Sequence, residues 1–275
     1  MRALVSTTWL HHNLSNPNLI ILDASVPTNA SGTALKNFDR TIPLARVFDL
    51  KTTFVDPTSP YPNTIPKPEH FELECRQLGI NTDSEIIVFD HQGIYSSPRV
   101  WWLFTIMGHH NIAVLDGGLP DWIANGFETK KAPAQTFETG NFEAQFDESL
   151  VVDFDQVYQN TLAKKFTIVD ARSTNRFNGS GNEPRAHLKS GCIDHSVNLP
   201  YQEVLRHGKY KSKSELRLLF EEHCKTKDEL VFSCGSGMTA CIVMLACNLG
   251  YGSHLKVYDG SWTEWAERND LKTMV

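Results

Sequence analysis

Short apolar runs recur along this chain. In the first half they are Ile20-Ile21-Leu22-Asp23-Ala24, Ile42 to Phe48, Glu85-Ile86-Ile87-Val88-Phe89-Asp90 and Val114-Leu115-Asp116-Gly117-Gly118. In the second half they are Thr167-Ile168-Val169-Asp170-Ala171, Ile193 to Leu199, Glu229-Leu230-Val231-Phe232-Ser233-Cys234 and Val257-Tyr258-Asp259-Gly260-Ser261. The runs are apolar at consecutive positions rather than alternating ones, and they are rich in β-branched residues. That pattern predicts strands buried on both faces, as in a parallel sheet covered by helices. Stretches with helical patterning, Pro98 to Met107 and Thr239 to Leu249, supply the helices and place the chain in the α/β class.

The two series keep the same order and nearly the same spacing. Asp170 minus Asp23 is 147, Cys234 minus Asp90 is 144, and Trp265 minus Trp122 is 143. A register held this well marks an internal repeat and predicts two tandem domains, each a parallel sheet flanked by helices. Lys130-Lys131-Ala132-Pro133-Ala134 and the polar residues on to Ser149 separate them. The expected division is residues 1–130, a linker over 131–150, and a second domain over 151–275.

Composition narrows the function. With 41% hydrophobic and 21% charged residues in 275, the chain is globular and large enough for two cores. No stretch approaches the ~18 consecutive apolar residues of a membrane span. A net charge of −6 argues against nucleic-acid or anionic-membrane partners, which depend on summed Lys and Arg. The N-terminus turns polar by His11-His12-Asn13 and has neither a secretory apolar core nor an Arg/Ser-rich transit bias, so a cytoplasmic location is expected, with a mitochondrial fraction left open. Six cysteines without a Cys-x-x-Cys pair predict free thiols in a reducing compartment and no metal site. The pairs His11-His12 and His109-His110 have no acidic or cysteine ligands beside them in sequence and are read as surface residues.

The candidate chemistry lies where the strand ending at Ser233 meets Cys234-Gly235-Ser236-Gly237-Met238-Thr239-Ala240. Ligands of open α/β sheets bind outside the carboxyl ends of the strands. The two glycines let the loop curl with its amides inward, and this nest, with the positive end of the following helix, stabilises a thiolate. A cysteine after an apolar strand is also commonly a small buried hydrophobe, the role read for Cys241 and Cys247. The Gly-x-Gly setting favours a nucleophile at Cys234. The first repeat has Asp90 at this place, in Asp90-His91-Gln92-Gly93, and an acid cannot be a sulfur nucleophile. One half has kept the fold without the chemistry.

The loop Cys234-Gly235-Ser236-Gly237-x-Thr239-Ala240 resembles that of the two-domain rhodanese-type sulfurtransferases, and within them the mercaptopyruvate-using branch. Thiosulfate-using members have Cys-Arg-Lys-Gly there. Thr58-Ser59-Pro60-Tyr61, Ser97-Pro98-Arg99-Val100-Trp101-Trp102, Leu115-Asp116-Gly117-Gly118-Leu119 and Tyr258-Asp259-Gly260-Ser261-Trp262 extend the likeness over nearly the whole chain. The resemblance implies two rhodanese-like domains with the site in the second domain's loop, where the domains meet. It implies covalent catalysis without cofactor or metal: Cys234 takes sulfur from 3-mercaptopyruvate, releases pyruvate, and passes the sulfur to a small dithiol, a thioredoxin-like protein or cyanide. Arg176 and Arg185 match the branch's two substrate-binding arginines, and planar guanidinium forks suit a keto-acid carboxylate. Gly235, Gly237, Met238 and Thr239 complete the substrate loop. Ser236 is expected to assist the departing enolate, although Ser and Thr here would also cap a helix well. Asp56 matches an acid that the family places near that serine. Asn63 stands where relatives commonly have histidine, and asparagine cannot relay a proton.

The neutral Gly235-Ser236 pair offers a thiosulfate dianion no cation, which favours the keto acid. Thiosulfate sulfurtransfer is the nearest alternative, and a non-enzymatic sulfur-carrier or regulatory module is the next. A cysteine phosphatase needs Cys-x5-Arg; counted from Cys234 that position is Ala240, which excludes it.

Overall fold

A computed structural model describes residues 2–28, 39–131, 136–224 and 229–269. It divides into two compact units. The first comprises Met1–Pro57, Ile65–Asp147 and His207–Tyr210. The second comprises Thr58–Thr64, Glu148–Arg206 and Lys211–Val275.

In the first unit the elements run β1 (Leu4–Val5), α1 (Thr7–Asn13), β2 (Leu19–Asp23), β3 (Arg46–Val47), α2 (Pro68–Gln77), β4 (Glu85–Phe89), α3 (Ser97–Ile106), β5 (Ile112–Leu115) and α4 (Gly118–Ala124). The strands form a parallel sheet in the order β1-β5-β4-β2-β3. The central pair is in register from Leu19 against Glu85 to Asp23 against Phe89. Ile21, Ile87, Phe89, Leu115 and Trp122 share one core cluster, and nothing in α3 is exposed. Truncation of a fully buried tryptophan such as Trp122 would cost ~3–5 kcal/mol.

The polar stretch over residues 136–147 runs along this unit. The amides of Gly140 and Phe142 donate to the carbonyls of Arg76 (2.9 Å) and Ile80 (3.1 Å), and the Phe142 side chain is buried. Ala132-Pro133-Ala134 of the expected linker lies outside the described residues.

The second unit repeats the plan with β6 (Val151–Val152), α5 (Phe154–Ala163), β7 (Phe166–Asp170), α6 (Thr174–Phe177), β8 (Val197–Asn198), α7 (Lys213–His223), β9 (Glu229–Ser233), α8 (Met238–Gly250), β10 (Lys256–Tyr258) and α9 (Ser261–Arg268). Its parallel order is β8-β7-β9-β10-β6, which is the first sheet's order read from its other edge. Capping boxes at Asp153/Gln156 and Ser212/Glu215 start α5 and α7 by satisfying orphan amides reciprocally. Val157, Ile168, Val231, Trp262 and Trp265 form the core. The apolar α8 is buried over most of its length. With sheet and helix fixed on either side, the loop between Ser233 and Met238 has little freedom.

Candidate active site

β9 delivers Cys234 to the carboxyl end of the central strand, and Gly237, at φ 78°, turns the chain into α8. A positive φ is what glycine permits at little cost. The loop is held on its outer side by the start of α9. The Trp262 amide donates to the Cys234 carbonyl (2.9 Å), and the Thr263 amide and hydroxyl both donate to the Gly235 carbonyl (3.1 and 2.6 Å). Loop carbonyls thereby satisfy amides that a helix N-terminus otherwise leaves unpaired. Ser261 Oγ accepts from the amides of Cys234 (3.2 Å) and Gly237 (3.1 Å) and donates to the Tyr258 carbonyl (2.9 Å).

The nest is therefore more selective than the sequence suggests. The Cys234 and Gly237 amides are already taken by a side chain. Among the described residues, the amides of Gly235, Ser236, Met238 and Thr239 bond no protein acceptor. Gly235, Ser236 and Thr239 are partly exposed, whereas Gly237 and Met238 are buried. Cys234 itself is 2% exposed.

Two guanidinium groups are tied to Gly235, Arg176 by direct approach and Arg185 through Thr263. Arg176, on α6, is gripped by Glu183: its Nε lies 3.1 Å from both carboxylate oxygens and its Nη2 2.6 Å from one. Glu183 is itself anchored by the fully buried Arg172 (3.0 Å), which forks onto Asp170 and lies 4.2 Å over the Trp262 ring. Two carboxylates thus balance two arginines, and the contacts that bury these charges also fix them. Arg176 keeps Nη1 uncommitted, and its side chain is 23% exposed. Its Nη2 sits so close to Gly235 that an added Cβ would lie 2.9 Å away. Arg185 Nη1 donates to Thr263 Oγ1 (3.1 Å), the hydroxyl that bonds the Gly235 carbonyl.

Asn63 belongs to this same unit. Its Nδ2 donates to Ser236 Oγ (2.9 Å) and to the Ser236 carbonyl (3.1 Å). The serine hydroxyl thus meets an amide donor that cannot take up a proton. Asp56 falls in the first unit.

The remaining thiols contrast with this setting. Burial pushes Cys224 and Cys247 up to about 12 and raises Cys75 well above the usual thiol range. Cys192 is also raised, mainly by desolvation. Cys241 Sγ rests on the Gly237 carbonyl at 3.3 Å as part of the helix packing. The histidine pairs are partly packed rather than wholly on the surface: His11 stacks on Phe127 at 4.1 Å, and His109 is buried against Phe104 and Phe142. Among the described residues no cluster of three or more His, Cys, Asp or Glu could hold a metal ion.

Ser261, Thr263, Glu183, Arg172 and Asp170 escape sequence reasoning as parts of the site. One signal was available: the repeat sets Ser261 against Gly118, so a side chain appears where the other half has none. The arrangement as a whole offers a cysteine, open amides and two arginines to a small anion.

The rhodanese-like domain matches this chain over residues 6–125 and again over 153–268, and the chain belongs to that family. The two α/β units are tandem rhodanese-like domains. The chain is similar to the mouse 3-mercaptopyruvate sulfurtransferase (Mus musculus), 38% identical over 97% of this chain and 93% of that one. It is also similar to the rat thiosulfate sulfurtransferase (Rattus norvegicus), 37% identical over 100% and 95% respectively. The crystal structure of the 3-mercaptopyruvate sulfotransferase SseA from Escherichia coli superimposes with a TM-score of 0.85 at 31% identity, covering 95% of this chain and 99% of that one.

Proposed function

We propose that this protein is a 3-mercaptopyruvate sulfurtransferase working through a persulfide on Cys234. The observation that carries the reading is Arg176 against Gly235, with Arg185 joined to the same residue through Thr263, next to the cysteine, in a loop without a cation of its own. A keto-acid carboxylate takes the uncommitted donors of the two arginines, which brings the substrate's sulfur to Cys234. The Cys234 thiolate attacks that sulfur. The C–S bond breaks and its electron pair passes to carbon as the enolate of pyruvate, which is then protonated. The Ser236 hydroxyl and the open loop amides are placed to stabilise the negative charge. The outer sulfur of the persulfide is next attacked by a thiolate acceptor, the S–S bond breaks, and Cys234 returns as a thiolate.

Thioredoxin-like proteins and small dithiols fit as acceptors, because their second thiol can release the sulfur as sulfide while forming a disulfide. Asp56 is the acid to which the resemblance assigns a part in the donor step, and an Asp56→Asn variant with wild-type kinetics would remove it. Free thiols at six positions fit a reducing compartment such as the cytoplasm, which cell fractionation tests. No helix among the described residues is long and apolar enough to cross a membrane.

Likeness to thiosulfate sulfurtransferases supports thiosulfate as a second donor for the same persulfide. Intact-mass measurement separates the readings. Incubation with 3-mercaptopyruvate adds one sulfur atom, and the gain disappears in Cys234→Ser. A gain with thiosulfate alone would select the second reading, and no gain with either donor would remove both.

A further inference from the structure

Ser261 is buried to 0% exposure and has φ 51°, a left-handed conformation that residues other than glycine, asparagine, aspartate and histidine rarely adopt. Its counterpart in the first domain, Gly118, also has φ 51°. There the absence of a side chain is required, since an added Cβ would lie 2.3 Å from the Asp90 carbonyl. The neighbouring contact is shared, with Leu119 N donating to Asp90 O (3.0 Å) as Trp262 N donates to Cys234 O (2.9 Å). The second domain thus keeps a serine in a backbone conformation that suits glycine. The hydroxyl uses its full capacity, one hydrogen donated and two accepted, and both accepted hydrogens come from the cysteine loop.

We infer that Ser261 is a positioning residue that shapes the Cys234 loop from outside by gathering the amides of Cys234 and Gly237 onto its Oγ. Those two amides have their acceptor in the Ser261 hydroxyl. The amides of Gly235, Ser236, Met238 and Thr239 are left for the anion that forms during transfer. One side chain thereby joins both ends of the loop. The inference rests on Cys234 as the nucleophile, but it concerns a residue that touches neither donor nor acceptor.

The test uses the full-length chain with Ser261→Ala and Ser261→Gly, and Cys234→Ser as control. The glycine variant adopts φ 51° without strain, as Gly118 does, so it guards against loss of fold. Steady-state kinetics are measured with 3-mercaptopyruvate and with thiosulfate, alongside thermal unfolding. The expected result is a fall in kcat of about tenfold for both donors, the effect of one or two lost hydrogen bonds at the loop. Each KM should stay within about twofold, because the arginine contacts are intact. Melting of the glycine variant should stay near wild type. Wild-type kcat in both variants overturns the inference. So does a rise in KM or a loss confined to one donor, since the hydroxyl would then contact substrate. An unfolded glycine variant overturns it too, in favour of a purely structural role. Retained activity in Cys234→Ser would instead sink the nucleophile assignment, a separate failure.

Discussion

The loops at Asp90 and Cys234 occupy the same place in two copies of one fold and are organised in opposite ways. In the first domain the loop closes around its own anion. Asp90 Oδ2 accepts from the amides of Tyr95 (2.8 Å), Ser96 (3.0 Å) and Ser97 (3.0 Å) and from the Ser97 hydroxyl (2.7 Å), while Oδ1 accepts from Gln92 (2.9 Å). Asp90 is fully buried. In the second domain the offset of 144 sets Ser236 against Gln92 and Thr239 against Tyr95, and both amides are open. The side chain at 234 ends at sulfur, one bond short of a carboxylate oxygen, and the outer sulfur of the proposed persulfide has that oxygen's reach. The comparison teaches that this backbone is an anion nest in both halves. An internal carboxylate makes the nest structural, whereas an external serine brace takes two amides and leaves the others without a protein acceptor.

The sharpest way to break the comparison is Cys234→Asp, which gives the second domain the first domain's residue. It should fold, melt at or above the wild-type temperature, and transfer no sulfur, because its carboxylate can turn onto the open amides. Marked destabilisation with lost activity would show that the two loops are not equivalent. The reverse experiment removes the internal anion. Asp90→Ala leaves several buried amides without an acceptor and should cost about 3 kcal/mol of stability, read as a lowered denaturant midpoint. Activity per folded molecule should be retained, since Asp90 bonds residues of its own loop. An unchanged midpoint would mean that water replaces the carboxylate.

Much of this was legible in the residues. Consecutive apolar runs are the signature of strands covered on both faces, so the parallel sheets, the repeat and the position of Cys234 follow from local pattern. Support for the site was not legible, because it comes from residues remote in sequence. Glu183 orients Arg176 and Thr263 tethers Arg185 only because the fold brings them together. The uniformly inward amides expected from Gly235 and Gly237 needed the same correction, since Ser261, 27 residues beyond Cys234, takes two of them. Backbone propensity reveals that a loop curls but not which donors remain free once a neighbouring helix has docked against it.

A smaller effect concerns the arginines beside the second domain's loop. On the proposed mechanism Arg176→Ala and Arg185→Ala each remove a charge-assisted contact to the substrate carboxylate worth ~1.5–3 kcal/mol, so kcat/KM for 3-mercaptopyruvate should fall roughly ten- to a hundredfold. Arg176→Ala carries a further cost, since it leaves the buried Glu183 with Arg172 alone. It should therefore lower stability more than Arg185→Ala does, and paired melting curves would check this. Equal kinetics for both variants and the wild type would place the carboxylate clamp elsewhere.

The smallest expected effect lies at Asn63, which bonds the Cys234 loop at Ser236. Its Nδ2 occupies the Ser236 oxygen as a donor, so the serine's own hydrogen is directed elsewhere, and the amide itself does not titrate. Asn63 has φ 61°, and histidine is among the residues that tolerate that region, so Asn63→His should fold. A neutral imidazole can still present an N–H to Ser236, and a change of a few-fold in kcat is expected, the scale of one altered neutral hydrogen bond at ~0.5–1.5 kcal/mol. The informative quantity is the pH profile. A histidine ordinarily titrates near 6.5, so the variant's kcat for 3-mercaptopyruvate should gain a limb between about pH 5 and 8 that the asparagine protein lacks. With thiosulfate, which releases no enolate for Ser236 to assist, the limb should be absent. The same new limb with both donors would mean that position 63 acts on Cys234 and not through Ser236, and identical profiles for variant and wild type would mean that the Ser236 hydroxyl takes no part in the donor step.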